Sequence, residues 1–362
     1  MHARPRIWLA SGPLIYRFLF RRLLLRLDAE RAHRLGTRAL AAIGRLPAAG
    51  AVLRLILSPR DPRLEVKALG LTFASPIGVA AGLDKEAECF AELGDLGFGH
   101  VEVGTVTARA QAGNAKPRVG RLPRDRALYN RMGFPNPGAE AFARRLAGRS
   151  RDVVVGVNVG KSMDVELADA AADYRETVRV LAPLADYLVI NVSSPNTPGL
   201  RSMQSVDELR VLVDAVRDEL REARVATPLL VKIAPDLSDD EIDAIADYAV
   251  ETGLDGLVAV NTTIDGAVLE NSTAEERAAV YGGISGAPLK RRALEVLHRL
   301  RDRAGDDLVL ISVGGIESAD DALERLEAGA TLVQAYTGFV YGGPLWPRRV
   351  NKQLARRAAS SA

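Results

Sequence analysis

The chain has 362 residues, 48% hydrophobic and 26% charged, with a net charge of only +2. That composition suits one large folded unit or two smaller ones, and it carries no overall charge that would call for a nucleic-acid partner. A single cysteine, Cys89, excludes a disulfide framework, a cysteine-rich zinc site or a cysteine-ligated iron–sulfur cluster. His2, His33, His100 and His298 lack ligand spacing, so no metal site is expected.

The charge is uneven. Residues 1–55 hold eleven Arg against Asp28 and Glu30, a local charge of +9, and the remainder sums to −7. Residues 13–27 are apolar but broken by Arg17, Arg21, Arg22 and Arg26, which argues against a membrane span, since spanning takes about 20 mostly apolar residues. No uncharged apolar core precedes a cleavage site, so a secretory signal is not expected either. In residues 30–46, Leu35, Ala39, Ala42, Ile43 and Leu46 share a helical face flanked by Arg31, Arg34, Arg38 and Arg45. Two basic amphipathic helices joined near Asp28 suit a device lying on an anionic membrane surface. A helical cap with a solvated basic face is the alternative. The Arg-rich, acid-poor start also resembles a mitochondrial transit peptide, although its apolar segments look too structured to be discarded.

Pro59, Asp61 and Pro62 mark a boundary, giving an N-terminal segment 1–57 and a main domain 58–362. Glu65–Leu69 and Leu71–Phe73 flank Gly70 as a small hairpin. Apolar runs then recur at Pro76–Ala81, His100–Val106, Val153–Val159, Tyr187–Val192, Leu229–Ile233, Gly256–Val260, Leu308–Val313 and Thr331–Ala335. Helical stretches lie between them, at about 85–95, 138–148, 165–182, 205–223, 238–252, 289–303 and 317–328, and a last helix follows near 344–357. Eight buried strands alternating with helices predict an α/β fold, a (β/α)8 TIM barrel, for which about 250 residues are typical. A doubly wound open sheet is the competitor.

In such a barrel the chemistry sits where strands end. Those ends carry Ala80–Lys85, Thr105, Asn158, Asn191, Lys232, Asn261–Thr263, Gly314–Gly315 and Tyr336–Gly338. Of nine asparagines, three end strands, and Asn130 and Asn196 follow two others. Amides offer donors and acceptors without charge, which suits a neutral planar ligand of alternating N–H and C=O groups. Gly286, Gly314 and Gly315 put small residues where these barrels hold phosphate on backbone N–H groups. The residues thus imply two ligands, one phosphorylated and one amide-like. Lysine is rare, seven against 41 Arg, so Lys232 inside a strand invites explanation. A buried salt bridge or a Schiff-base aldolase lysine would also fit there. The stiff loop Asn191–Gly199, with Ser193, Ser194, Thr197 and two prolines, reads either as a simple turn or as a positioning loop.

Several blocks together resemble the dihydroorotate dehydrogenase family. They are Gly78–Lys85 (GVAAGLDK), Val103–Thr107 (VGTVT), Asn130–Phe134 (NRMGF), Asn191–Gly199 (NVSSPNTPG), Val231–Asp236 (VKIAPD), Asn261–Thr263 (NTT) and Gly282–Gly286 (GGISG). The resemblance is to the quinone-dependent class 2, because Ser194 stands where class 1 has cysteine and an N-terminal extension is present. It implies an FMN enzyme that oxidises (S)-dihydroorotate to orotate in pyrimidine biosynthesis and passes electrons to a membrane quinone. It implies FMN contacts from Ala80, Ala81, Gly82, Leu83, Asp84, Thr105, Asn158, Asn191, Lys232, Val260, Gly286, Gly315, Tyr336 and Thr337. Substrate contacts are implied for Lys85, Asn130, Arg131, Met132, Gly133, Phe134, Asn191, Asn196, Asn261 and Thr262. Val260 and Ser312 depart mildly from the family pattern.

On this reading Ser194 is the catalytic base. Thr197 and an enclosed water beside Phe134 carry its proton onward. Lys232 stabilises charge on the reduced flavin, and Lys85 pairs with the substrate carboxylate. The N-terminal helices admit quinone at the cytoplasmic face of a bacterial inner membrane, favoured over a mitochondrion, with the protein peripheral and monomeric. Another FMN barrel oxidoreductase with a soluble acceptor is the nearest alternative.

Overall fold

Runs of β-branched and aliphatic residues, apolar on both faces, form eight parallel strands that close on themselves: β1 (Ile77–Val79), β2 (His100–Val106), β3 (Val154–Val159), β4 (Tyr187–Asn191), β5 (Leu229–Ile233), β6 (Gly256–Ala259), β7 (Val309–Val313) and β8 (Leu332–Ala335). Each strand pairs with its chain neighbours, and β8 pairs with β1 through Val333↔Ile77 to seal the ring. The expected barrel is therefore the fold, and the open sheet falls away. This computed structural model describes residues 14–22, 24–46, 48–59 and 61–360. Most of the first part of the N-terminal segment, residues 1–13, lies outside the described residues, as do Leu23, Pro47, Arg60, Ser361 and Ala362.

Alternation along each strand sorts side chains into two cores. Tyr187, Val189, Leu230, Val258, Ile311 and Leu332 point into the barrel and are fully buried there. Leu188, Ile190, Val231, Leu257 and Val333 point out, beneath the helices. The hairpin Val66–Ala68 with Leu71–Phe73 closes one end of the barrel. Its Phe73 meets His100 edge-on at 5.4 Å. Burial pushes the imidazole of His100 down to about 3, so it is neutral and belongs to the plug. A Cβ at Gly78 would sit 2.1 Å from that ring, so β1 needs glycine there.

The expected helix at 85–95 begins only at Phe90 and ends at Asp95. Asp84 causes the delay: its buried carboxylate accepts from the backbone N–H of Glu88 (2.8 Å) and Cys89 (2.9 Å) and holds Lys85–Cys89 as a loop. Three further strands were not foreseen. Val119–Leu122, Ala127–Asn130 and Gly283–Gly286 form an antiparallel sheet, with Gly283 opposite Asn130.

Three helices precede the barrel: α1 (Leu14–Arg22), α2 (Ala29–Gly44) and α3 (Ala49–Leu57). Asp28 caps α2 by accepting from Arg31 N–H at 2.9 Å. The expected helix over 13–27 stops at Arg22 and continues as a 3-10 turn, Leu24–Arg26. α3 was not foreseen; at nine residues it is too short for its apolar period to stand out. Among the described residues no single helix is long and apolar enough to cross a membrane, and α2 and α3 meet at 107°. The extension is tied to the barrel rather than trailing from it. Glu30 on α2 makes a two-pronged, buried ion pair with Arg118 (2.8 and 3.2 Å). Although burial opposes it, the Arg118 and Lys116 charges hold the Glu30 carboxyl below its usual range. Arg121 donates to the Leu27 carbonyl at 2.8 Å, and Tyr16 on α1 donates to the Val340 carbonyl at 2.7 Å.

Candidate functional site

The carboxyl ends of the strands open into one cavity, roofed by the three-stranded sheet through Val119, Leu128, Ser285 and Gly286. All of the expected site residues line it except Leu83, Asp84, Asn158 and Arg131. Leu83 is packed in the main core, and Asp84 is committed to the loop described above. Arg131 turns outward and stacks on the Tyr281 ring at 5.0 Å. Asn158 lies one layer beneath the wall and supports it. Its Oδ1 accepts from Thr105 Oγ1 (2.6 Å) and Asn191 Nδ2 (3.0 Å), and its Nδ2 donates to Glu102 (2.7 Å).

At one end of the cavity the amides hold one another in place. Asn261 Nδ2 donates to Ser193 Oγ at 3.0 Å, and Asn196 Nδ2 donates to Asn130 Oδ1 at 3.2 Å. Ser194 is 5% exposed, and its Oγ accepts from the Asn196 N–H at 3.2 Å. Next to it, the Thr197 hydroxyl and Asn196 Oδ1 are buried with no partner among the described residues. Buried polar atoms are rarely left so, which marks this end as a place for a polar guest. Phe134 sits at φ +49°, a costly conformation for a side chain other than glycine. It is kept there by Asn136 Nδ2, which donates to its carbonyl at 2.8 Å. Lys85 donates to the Gly82 carbonyl, and its Nζ is 3.5 Å from His33 Nε2 on α2. Burial, partly offset by Glu30, lowers the Lys85 ammonium to about 8. Burial and the charge of Lys85 hold His33 well below its usual value, so it is neutral at pH 7.

The other end is built of backbone. A Cβ at Gly315 would lie 2.4 Å from Lys290 Cα, and one at Gly286 would lie 2.4 Å from the Arg126 carbonyl. Both residues have positive φ, so only glycine lets the chain pass there. Ser285 Oγ and Thr337 Oγ1 meet at 2.8 Å beside them. Arg325, fully buried beneath, donates to the Gly314 carbonyl at 3.3 Å and to that of Lys290. Lys232 lines the floor between the two ends. It stands 3.6 Å from Glu102 Oε1, so the salt bridge weighed for it exists.

Sequence reasoning missed Gln334, Ser285, Leu128 and Arg201. Arg201 donates to the carbonyls of Ser193 (3.1 Å) and Thr262 (2.8 Å) and pairs with Asp236 (2.9 Å), tying the loop after β4 to the loop after β6. The Pro123–Arg126 turn between two short runs was the available signal for the roof.

The family model for dihydroorotate dehydrogenase matches residues 63–357. A relative from Thermobifida fusca, named dihydroorotate dehydrogenase (quinone), is 55% identical over 350 residues, covering 95% of this chain and 93% of its own. One of the same name from Kineococcus radiotolerans is 56% identical over 352 residues, covering 96% of each. The crystal structure of DHODH from Eimeria tenella in complex with ferulenol superposes with a TM-score of 0.84 at 40% identity, covering 92% of this chain and 93% of that one. With the barrel, the amide end and the glycine end in place, the chain belongs to the dihydroorotate dehydrogenase family.

Proposed function

We propose that this chain oxidises dihydroorotate to orotate on a bound FMN and passes the electrons to a membrane quinone. The observation that carries the proposal is a single cavity with two chemically different ends. Amides, Lys85 and Ser194 suit a pyrimidine carboxylate. The glycine turns at Gly286 and Gly315 leave room for a phosphate against backbone, and Lys232 lies where a flavin ring would join the two. When bound, the flavin supplies the two-electron acceptor for the substrate's C6 hydride and the relay to the quinone. Ser194 Oγ takes the C5 proton. A serine hydroxyl is a weak base, so it must lose its own proton as it gains that one; the Thr197 hydroxyl, buried without a partner among the described residues, supports a relay through that residue to water. Lys85 holds the carboxylate, while Asn130, Asn196 and Asn261 fix the ring.

The membrane side rests on two observations. Among the described residues, eight of the fourteen exposed large hydrophobic side chains fall between Phe18 and Ile56. Arg22, Arg26, Arg31, Arg34, Arg38 and Arg45 make no ion pair among the described residues, whereas arginines of the barrel commonly do. An apolar face ringed by unpaired cations suits the anionic cytoplasmic surface of an inner membrane. From α1, the cluster of Tyr16, Phe20, Leu24, Leu25, Leu128 and Tyr341 reaches Tyr336 on the cavity wall, an apolar route for the quinone head.

The purified protein is expected to be yellow, with absorption at about 450 nm, and to convert dihydroorotate to orotate only when a quinone is supplied. A colourless protein that borohydride traps on a carbonyl substrate would instead point to a Schiff base on Lys232. A pH profile tests the role of Lys85. Its ammonium is lost as pH rises through about 8, so kcat/KM for dihydroorotate, which reports the free enzyme, is expected to fall above that pH. A kcat/KM that stays flat well past pH 8 would remove Lys85 from carboxylate binding.

A further inference from the structure

Glu102 is a charge at the centre of the barrel that the reaction as described does not use. It lies on β2, points inward and is 0% exposed. Its Oε1 accepts from Asn158 Nδ2 at 2.7 Å, and its Oε2 accepts from Gln334 Nε2 at 2.9 Å. Lys232 Nζ is 3.6 Å from Oε1 and is the one cation paired with it among the described residues. Lys232 and Gln334 line the cavity, and Glu102 does not. The carboxylate therefore lies one layer below the floor, with the ammonium above it. On its other side are the plug residues Phe73 and His100, and His100 is neutral.

A buried ion pair of this kind is weak evidence for stability, because well-packed apolar residues commonly serve as well. Its direction is more informative. A lysine alone at the floor would offer a full, poorly screened positive charge to whatever binds above it. With Glu102 beneath, the charge felt in the cavity is reduced and Nζ is held to one position. We propose that Glu102 is a positioning residue that acts through Lys232, fixing its ammonium and offsetting its charge so as to hold down the reduction potential of a flavin on the cavity floor. This rests on the flavin reading given above.

Glu102→Gln tests it with little disturbance of the fold. The new carbonyl can still accept from Asn158, and Gln334 Oε1, which has no partner, can turn to accept from the new amide. On the holoenzyme at one fixed pH, the flavin midpoint potential should move positive. Sulfite, whose flavin adduct is favoured by positive charge near the ring, should bind about tenfold tighter, with flavin content unchanged. In a Lys232→Met background the same substitution should shift potential and sulfite affinity clearly less, because only the carboxylate's own field remains. An unmoved potential in Glu102→Gln overturns the inference, and so does a shift of equal size without Lys232, which would mean the carboxylate acts directly. Should Glu102→Gln not fold, Glu102→Asp draws the charge back by one methylene and should give a smaller positive shift; no shift there also overturns it. A wild-type protein that takes up no flavin removes the functional reading and this inference together. A flavin-bearing wild type with an unmoved variant removes the inference alone.

Discussion

Ser194→Ala is expected to slow orotate formation in a single turnover by about 10²-fold or more while leaving flavin content unchanged. The hydroxyl is nearly buried and makes no hydrogen bond to the glycine end among the described residues, so its loss should not disturb the cofactor's grip. Its one hydrogen bond among the described residues is to accept from the Asn196 N–H, which leaves its own proton free to be passed on. Alanine keeps the prolines that stiffen the loop and the Arg201 contacts that fasten it, so the effect is read in the rate and not in the fold. Stopped-flow measurement of flavin bleaching by dihydroorotate decides the matter. A trace like the wild type's would move the base elsewhere. Ser194→Cys is the companion variant, since a thiol is a stronger acid than a hydroxyl and changes the pH at which the step is fastest.

The second large effect concerns the helices before the barrel. Removing residues 1–57 is expected to abolish turnover with long-tailed quinones but to leave reduction of the flavin by dihydroorotate. It should also lower the melting temperature. Arg118 would lose its Glu30 partner together with the helix that carries it, and Leu128 and Tyr341 would lose Phe20. A milder variant separates docking from stability. Leu35 and Ile43 are 59% and 37% exposed and are not part of the barrel contact. Changing both to Glu should release the protein from anionic vesicles and reduce turnover of vesicle-held quinone about tenfold or more. Turnover of a short-tailed, water-soluble quinone should stay as it was. Unchanged co-sedimentation with vesicles would mean that this face does not dock.

The barrel was legible because a parallel strand covered on both faces leaves an unbroken apolar run, and its polar end residue then stands out. Asn191, Lys232 and Asn261 were found in that way. The roof was missed although its hairpin, Val119–Leu122 with Ala127–Asn130, had a local turn signal at Pro123–Arg126. Its third strand pairs residues about 150 positions apart, Gly283 with Asn130, and nothing local announces such a partner. The side chains that turned away share another cause. Asp84 found backbone N–H groups in its own loop, and Arg131 found the Tyr281 ring, and a motif read as a string cannot say which way each member faces. Glu102 and Gln334 escaped notice because they sit within strands, at positions that read simply as core.

The contact between His33 and Lys85 places a helix of the extension against the group proposed to hold the substrate carboxylate. Binding free energies are linked, and the linkage runs both ways. A bilayer or quinone that shifted α2 would alter the surroundings of Lys85, and with them the affinity that Lys85 lends to dihydroorotate. Filling the substrate site would in turn change, by the same factor, how tightly α2 takes that partner. On the proposed roles, the two half-reactions would be linked through the protein as well as through the electrons they share.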